Sequence, residues 1–332
     1  MSAPRQGAAQ AGRAREQPSI GVLLMGYGGP DSLDDVPGYL ADIRTGRPTP
    51  RAIVQEITDH YRQIGGRSPL LALCERQLQA LSARLDPAMY RCYLGMRHWS
   101  PWIEEVVGTM AADGITRAVG VVLAPHYSSM NTERYFQKIQ SGLDLYGAAI
   151  EFALVKGWHE SPLLLDALAR RVVEGIGRWP PGERSEVHVV FCAHSLPARI
   201  IAEGDPYDTQ VRETARHVSL RSGLSAAQWS WSYMSAGKSP EPWLGPDLPD
   251  HLAALAAQGV RGVLCVPVGF VADHVEVLYD IDIEAQQRAR SVRIRLERPP
   301  SLNDDPQFIQ ALADVVIARA REAGFAGDGA AS

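Results

Sequence analysis

Short apolar segments alternate with longer amphipathic segments along this chain, and no other feature of the sequence constrains its fold as strongly. The apolar segments have the length of β-strands and lie at residues 20–28, 90–96, 118–125, 151–158, 187–195, 229–235, 262–270 and 292–299. Helical periodicity is found between them, at residues 69–85, 101–114, 161–179 and 247–260. Short strands of uniformly apolar character are typical of parallel sheets covered by helices. The sequence therefore predicts an α/β fold.

A repeated local pattern indicates two similar halves. The segment HWSPW (98–102) follows a predicted strand, precedes a predicted helix and leads to GVVLAPHY (120–127). The segment KSPEPW (238–243) stands in the same relation to GVLCVPVGF (262–270). A chain of 332 residues also exceeds the usual size of a single core. We expect two Rossmann-like domains, each with a parallel four-stranded sheet flanked by helices, and a cleft between them.

The expected boundaries follow from the positions of these segments. The N-terminal half is predicted at residues 19–158 and the C-terminal half at residues 159–324. Residues 1–18 are rich in small and polar side chains and lack the continuous apolar stretch of a secretory signal. We expect them, like residues 325–332, to form disordered tails.

Composition excludes several classes of protein. The net charge of −5 argues against broad nucleic-acid binding, which needs a positive surface. No window approaches the length of apolar sequence that spans a bilayer, so no integral membrane segment is expected. The four cysteines, Cys74, Cys92, Cys192 and Cys265, are far apart and form no CxxC pair. Such spacing is typical of reduced thiols, and we expect a cytoplasmic protein.

The residues that follow the predicted strands are the first candidates for a site. In open parallel sheets ligands bind outside the carboxyl ends of the strands, and a cleft between halves is a second natural location. Tyr27, His98, His126 and His194 stand at such positions. The acidic segment 273–284 follows another strand.

The acidic segment carries carboxylates at helical spacing. Asp273, Glu276, Asp280 and Glu284 are separated by three, four and four residues, so a helix would project them from one side. Such a ladder of like charges is tolerated when it faces water, when basic partners intervene or when a cation binds. A solvated acidic helix and a cation track are both open interpretations. His274 is expected to be structural, because neighbouring residues of a helix point to different sides.

Two strand ends have local signals of their own. MGYGGP (25–30) matches no phosphate-loop pattern and favours a tight turn, although its glycines would let a flat ligand approach Tyr27. CAHSLP (192–197) ends a strand at His194, where an imidazole can accept a proton or bind a metal. Ser195 adjoins His194 but no GxSxG elbow is present, so a hydrolytic triad is not expected.

Seven of these segments together resemble, in order, the motifs of the ferrochelatase family. They are LLMGYGGP, YRQIGGRSPL, GMRHWSPWIEE, LAPHYSS, AHSLP with GDPYDTQV after it, PWLGPD and VPVGFVADHVEVLYDIDIE. The resemblance extends from about Gly21 to about Leu312. It implies two Rossmann-like halves with a porphyrin cleft between them, which agrees with the layout predicted above.

The resemblance implies that the chain is a lyase that inserts Fe²⁺ into a porphyrin during haem synthesis. It assigns His194 and Glu276 as the catalytic pair and as metal ligands, and it places Asp280 and Glu284 on the outer part of the metal path. A free-base porphyrin must lose two N–H protons as the cation enters, so the site needs a proton acceptor. Which of His194 and Glu276 takes the protons stays open. We expect the imidazole and the carboxylate to come from opposite halves and to meet across one narrow gap.

Within the family the sequence is similar to the coproporphyrin branch, because Tyr27 stands where that branch has an axial tyrosine. The same match implies porphyrin contacts, which involve Tyr27, Arg44, His60, Tyr61, Ser68 and Tyr135. Some relatives carry arginine at the positions of Thr45 and His60. Coproporphyrin carries four propionates, so basic and hydroxyl groups at its edge should matter.

The expected partners and cofactors follow from this match. Porphyrin and Fe²⁺ are substrates, no resident cofactor is expected, and the outer carboxylates are a candidate Mg²⁺ site. No cysteine follows Cys265, so the C-terminal iron–sulfur cluster of some ferrochelatases is not expected. A monomer in transient contact with the next enzyme of the haem pathway completes the expectation. The alternatives are a protoporphyrin IX ferrochelatase, a cobalt chelatase and a non-catalytic tetrapyrrole or metal carrier.

Overall fold

The computed structural model describes residues 20–326 and contains two parallel four-stranded sheets with the same strand order. The first sheet has the order β2-β1-β3-β4 and consists of β1 (Ile20–Gly26), β2 (Tyr90–Met96), β3 (Arg117–Val122) and β4 (Glu151–Val155). The second has the order β6-β5-β7-β8 and consists of β5 (His188–His194), β6 (Trp229–Met234), β7 (Gly262–Pro267) and β8 (Arg295–Glu297). The predicted fold class, two similar α/β halves, is confirmed.

Helices cover the faces of both sheets. In the first half and at its end lie α1 (Val36–Ile43), α2 (Arg51–Gln63), α3 (Leu70–Ser82), α4 (Ile103–Ala112), α5 (Thr132–Tyr146) and α6 (Pro162–Ile176). In the second half lie α7 (Arg199–Ala202), α8 (Tyr207–Arg221), α9 (Leu248–Ala257), a π-helix (Glu276–Ala285), its continuation α10 (Gln286–Ser291) and α11 (Pro306–Glu322). None of the helices between residues 20 and 326 combines the length and apolar character needed to cross a bilayer.

Several strands end before the apolar run that predicts them. The third run extends to residue 125 and the seventh to residue 270, whereas β3 ends at Val122 and β7 at Pro267. The apolar residues beyond these strand ends line a cavity, among them Leu123, Ala124 and Phe270, although the backbone N–H of Leu123 still donates to Met25 of β1. Apolar character reports burial, and burial continues past the last ladder hydrogen bond.

The hydrophobic core is continuous between the halves. One cluster of buried residues contains Val22 of β1 together with Phe191 of β5 and Phe308 of α11. Helix α11 begins at Pro306 and is capped by the preceding residue, Asp305. The Asp305 carboxylate accepts hydrogen bonds from the backbone N–H groups of the first turn. It packs on α3, β3 and β4 of the first half, so the end of the chain returns to the sheet where it began.

The predicted tails coincide largely with residues outside the described range. Residues 1–18 and 327–332 are not among the described residues. The prediction that the tail begins at residue 325 is wrong for Phe325 and Ala326. Phe325 packs against the core, and Ala326 is buried. The boundary at residues 158 and 159 stays a prediction.

The loop after β3 joins the two halves through side-chain hydrogen bonds to α8 and the turn before it. His126 Nε2 lies 2.9 Å from Thr214 Oγ1, and the backbone N–H of Tyr127 donates to Gln210 at 2.8 Å. The backbone N–H of Ser129 donates to Asp205 at 2.7 Å. These contacts fix the distance between the sheets at this side of the cleft.

The buried His126 should make the stability of the protein depend on pH. Burial, aided by the nearby charge of His159, lowers the pKa of His126 to about 3. Below the unfolded pKa of about 6.5, His126 binds a proton in the unfolded chain but stays neutral in the folded chain. The free energy of unfolding therefore falls as the pH falls below this value. We expect His126 to account for a loss of roughly 2 kcal/mol between about pH 7 and about pH 5.

Urea unfolding at the two pH values measures this effect. His126→Gln does not titrate, so the difference in the free energy of unfolding between the two pH values should be smaller in this variant than in the wild type. The other histidines cancel in the comparison. An identical difference in both proteins would contradict the assignment of a neutral buried His126.

Candidate active site

A cavity of about 300 Å³ lies between the halves, at the carboxyl ends of the strands of both sheets. Its volume falls at the lower end of the range for small-molecule sites. The lining combines aromatic and ionisable side chains, including Tyr27, Tyr135, His194, Trp243, Phe270 and Glu276. The position agrees with the expectation that a ligand binds where parallel strands end.

Tyr27 is presented by two loops that are hydrogen-bonded to one another. It follows β1 directly, and the loop after β2 is joined to it, because the N–H of Arg97 donates to Gly26 and the N–H of His98 donates to Tyr27, both at 2.9 Å. Gly28 has a φ of 98°, and a Cβ there would lie 2.9 Å from the backbone nitrogen of Trp99. The glycine therefore permits the close approach of the loops that fixes Tyr27.

Arg97 lies against Tyr27 and was not among the predicted site residues. Its guanidinium lies 5.6 Å from the ring centre of Tyr27 and 5.3 Å from that of Tyr135, and it donates to Asn131 Oδ1 at 2.9 Å. Burial raises the pKa of Tyr27 to about 12, although the charge of Arg97 opposes the rise. Tyr27 is therefore a neutral phenol. The signal for Arg97 was its position directly after a strand.

His194 and Glu276 are in contact inside the cavity. His194 is the last residue of β5, and Glu276 opens the π-helix that follows β7. Their Nε2 and Oε1 atoms lie 3.6 Å apart, and both side chains are about 30% exposed, at 32% and 30%. The expectation that they come from opposite halves is wrong, because β5 and β7 are neighbouring strands of the second sheet. The first half contributes Tyr27, with several other side chains, to the lining of the same cavity.

Two histidines flank the Glu276 carboxylate. His274 Nε2 lies 3.5 Å from Oε2, on the side away from His194. Burial alone would raise the pKa of Glu276, but the charges of the two imidazoles and the contact with His274 lower it to about 2. Glu276 is therefore a stable anion. The prediction of a structural role for His274 rests on the expectation that residue 274 is helical. Residue 274 instead precedes the helix, and its side chain reaches Glu276.

Asp280 and Glu284 lie beyond Glu276 on the π-helix. Four residues separate each from the next, and a π-helix has more than four residues per turn, so the three carboxylates follow one row. Burial raises the pKa of Asp280 to about 7, and the charge of Glu276 adds to the rise, while a hydrogen bond from Ser235 opposes it. A carboxyl group of this kind loses its proton readily when a cation approaches.

Asp273 does not belong to this row. The predicted helix was expected to include Asp273, but the helix begins later. The Asp273 carboxylate binds side chains outside the row instead. It accepts hydrogen bonds from Arg298 at 3.0 Å, Ser301 at 2.8 Å and Asn303 at 2.9 Å. Burial would raise its pKa, but these partners lower it. Asp273 anchors the loop before the π-helix.

The predicted porphyrin contacts fall into two groups. Tyr27, Tyr61, Ser68 and Tyr135 line the cavity.

Arg44 and His60 are not part of this lining. Arg44 ends α1 and is exposed. The ring of His60 stacks on Tyr279 with 3.6 Å between ring centres, next to Asp280.

The donors of the site do not form a closed metal cage. Within residues 20–326, no group of three or more His, Cys, Asp or Glu side chains is arranged to hold a metal ion.

The chain is similar to known proteins over most of its length. The sequence profile described as Ferrochelatase matches residues 19–320. A protein named Ferrochelatase from Deinococcus radiodurans is 51% identical, over 92% of this chain and 98% of that protein. A protein named Coproporphyrin III ferrochelatase from Geobacillus kaustophilus is 40% identical, with the same coverage of 92% and 98%.

The fold is also found in a more distant solved structure. The sirohydrochlorin chelatase SirB from Bacillus subtilis subspecies spizizenii, in complex with cobalt, superposes with a TM-score of 0.57. The alignment covers 92% of this chain and 98% of that one, at 12% identity. This likeness concerns the fold alone.

Proposed function

The chain belongs to the ferrochelatase family, and from this premise we propose that it inserts Fe²⁺ into coproporphyrin III and yields Fe-coproporphyrin III for haem biosynthesis. As a member of the family it is a metal-inserting lyase. The observation that carries the proposal is the contact between His194 and Glu276 inside the cavity.

His194 is the proposed proton acceptor. Two pyrrole N–H protons must leave the macrocycle as the metal enters, and an imidazole in a half-buried site can take up a proton near neutral pH. Glu276, held as an anion, then stabilises the imidazolium at a separation of 3.6 Å. The pair divides the work, since the imidazole accepts and the carboxylate balances the charge.

The short separation between His194 and Glu276 also supports one orientation of the porphyrin. Nonbonded atoms prefer about 3.5–4 Å, so two atoms on opposite faces of a flat ring would be roughly 7 Å apart. His194 and Glu276 are too close to enclose a macrocycle between them. We propose that both act on one face of the ring and that Tyr27 faces the other. Its neutral phenol oxygen can serve as an axial ligand to the inserted iron.

The carboxylate row is the proposed route for the cation. Glu284 and Asp280 lead along the π-helix to Glu276, and their oxygens suit a hydrated divalent ion. Asp280 and Glu284 are in addition a candidate Mg²⁺ site. No resident cofactor and no iron–sulfur cluster form part of the proposal. We further propose that the enzyme acts as a monomer in the cytoplasm and contacts the next haem-pathway enzyme transiently.

Removing the outer carboxylate should weaken the supply of metal. Glu284→Gln is expected to raise the Fe²⁺ concentration needed for half-maximal rate by about fivefold, because one exposed charge contributes about 1 kcal/mol. The maximal rate should stay unchanged, since Glu276 is intact. Glu105→Gln, an exposed change on α4, is the matched control. An unchanged half-maximal concentration in Glu284→Gln would leave the row without a role in delivery.

Coproporphyrin III is the proposed macrocycle for two reasons. A relative that is 40% identical is named a coproporphyrin III ferrochelatase. The cavity also presents several polar groups that can bind carboxylates, among them Tyr61, Ser68 and Arg97. Arg44 and His60 are proposed to contact propionates that extend beyond the cavity.

Steady-state rates on two porphyrins test this choice. A charge-assisted hydrogen bond contributes about 1.5–3 kcal/mol, so two additional propionates should raise kcat/KM by at least about tenfold. We expect coproporphyrin III to exceed protoporphyrin IX by this factor under anaerobic conditions. Equal values, or a preference for protoporphyrin IX, would reject the choice of substrate without affecting the metal-inserting chemistry.

A further inference from the structure

We propose that Ser195 and Tyr207 are positioning residues that fix the tautomer and the orientation of His194, so that its Nε2 faces the cavity without a proton. The inference rests on the proposed function, in which Nε2 accepts a pyrrole proton. Neither residue was assigned such a role from the sequence, where Ser195 was considered only as part of a hydrolytic triad.

Two hydrogen bonds hold Ser195 in place. It is completely buried, its N–H donates to the carbonyl of Met234 at 2.7 Å, and its hydroxyl donates to the carbonyl of Leu244 at 2.8 Å. These bonds tie the residue to the end of β6 and to the loop at residue 244. The direction of the Ser195 carbonyl is thereby determined.

That carbonyl determines the tautomer of His194. It forms a hydrogen bond with Nδ1 of the imidazole. A carbonyl oxygen can only accept, so Nδ1 must carry the proton and Nε2 must carry the lone pair in the neutral ring. Nε2 is the atom that lies 3.6 Å from Glu276. The opposite tautomer would leave the Ser195 carbonyl facing a lone pair and would put a proton where one has to be accepted.

Tyr207 holds the preceding peptide. Its hydroxyl donates to the carbonyl of His194 itself at 2.9 Å. Its own N–H donates to Asp205 at 3.0 Å, and Asp205 also accepts the N–H of Ser129 from the first half at 2.7 Å. The carbonyls of residues 194 and 195 are therefore both held, one through α8 and one through β6. Tyr207 lines the cavity, whereas Ser195 does not, and the hydroxyl of Tyr207 is engaged by the His194 carbonyl.

The proton balance shows why the tautomer matters. A pyrrole N–H proton passes to Nε2, and the ring becomes an imidazolium that still donates from Nδ1 to the Ser195 carbonyl. The imidazolium of the partly exposed His194 then releases this proton to solvent, so that Nε2 can accept the second pyrrole proton. Glu276 balances the new charge, and the metal takes the place of the proton on the pyrrole nitrogen. Partners of this kind typically change activity by 10- to 100-fold when they are removed.

Two hydroxyl deletions with matched controls test the proposal kinetically. Ser195→Ala and Tyr207→Phe each delete a hydroxyl that holds the backbone next to the ring but leave the carbonyl that binds Nδ1. Each should therefore lower kcat by about tenfold, the lower end of the range of about 10- to 100-fold, without raising KM for the porphyrin. Ser232→Ala and Tyr233→Phe remove buried hydroxyls from β6, and neither hydroxyl contacts His194. Both controls should keep the wild-type kcat. A wild-type kcat in Ser195→Ala and Tyr207→Phe would overturn the proposal.

A spectroscopic measurement on the unliganded full chain separates this inference from the proposed function. The ¹⁵N chemical shifts of His194, identified by their loss in His194→Gln, report the tautomer at alkaline pH. We expect the Nδ1–H form in the wild type and a mixture of both forms in Ser195→Ala. An Nε2–H form in the wild type would refute the positioning role.

The two measurements fail independently. A wild type that inserts no metal but shows the Nδ1–H form, with a mixture in Ser195→Ala, supports the positioning of His194 and refutes the proposed function. Should Ser195→Ala fail to fold, as judged by its thermal transition, Tyr207→Phe keeps the ring and carries the test with the same expected loss of kcat.

Discussion

Replacing His194 by alanine should reduce the rate of Fe²⁺ insertion by about 10²- to 10⁴-fold, the range that a positioned general base contributes. The affinity for metal-free porphyrin should change little, because the cavity is lined mainly by other side chains, including Tyr27, Tyr135 and Phe270. Anaerobic insertion assays measure the rate, and quenching of porphyrin fluorescence measures the affinity.

A second histidine provides the control for this result. His217 lies on α8, where its Nε2 contacts Arg216, and it is not among the residues that line the cavity. His217→Ala should insert iron at the wild-type rate. If His194→Ala also retained the wild-type rate of insertion, His194 would not be the proton acceptor, and the proposed division of work with Glu276 would be rejected.

Glu276→Gln should cause a loss of similar size, again about 10²- to 10⁴-fold in the insertion rate. The change keeps the shape of the side chain but removes the negative charge between His194 and His274. An imidazolium at His194 would then lack its counter-charge. The same substitution should lower the pKa of Asp280, because the charge of Glu276 contributes to its rise. Infrared titration of the Asp280 carboxyl group can follow that shift.

The double variant shows whether the two residues act as a unit. Groups in contact are expected to be strongly non-additive, so His194→Ala combined with Glu276→Gln should lose little more than either change alone. Glu105→Gln on the exposed face of α4 serves as the control for removal of a carboxylate. Fully additive losses would indicate that His194 and Glu276 act in separate steps.

The fold could be predicted from the sequence because its strands are buried on both faces. Such strands appear in the sequence as apolar runs whatever their partners, and each of the eight predicted runs overlaps an observed strand. The positions of Tyr27 and His194 were predictable for the same reason, since parallel strands end at one edge and residues that follow them meet there. Four of the six predicted porphyrin contacts line the cavity that results.

The errors arise where a local pattern was extended beyond its element. Asp273 matches the helical spacing, but the helix begins after it, and its carboxylate forms an ion pair with Arg298. His274 was set aside by the same assumption, although the non-helical backbone turns it toward Glu276. Periodicity does not show where a helix starts, and Asp273, whose residue type favours N-terminal caps, binds Arg298 and Asn303 through its carboxylate instead.

The pairing of the site residues could not be read from the sequence either. His194 and Glu276 are separated by 82 positions along the chain, and only the strand order β6-β5-β7-β8 makes their strands neighbours. Arg97 gave a weak signal because an arginine after a strand is most often a solvated side chain. Its contacts with Tyr27 and Tyr135 depend on the packing of α5 against the first sheet.

The central claim is that one face of the macrocycle meets both His194 and Glu276 while the other meets Tyr27. A crystal structure of the full chain with metal-free coproporphyrin III bound measures this arrangement directly. We expect His194 Nε2 and Glu276 Oε1 to lie on the same side of the ring, with the Tyr27 hydroxyl on the opposite side. A ring inserted between His194 and Glu276, or bound away from all three, would contradict it.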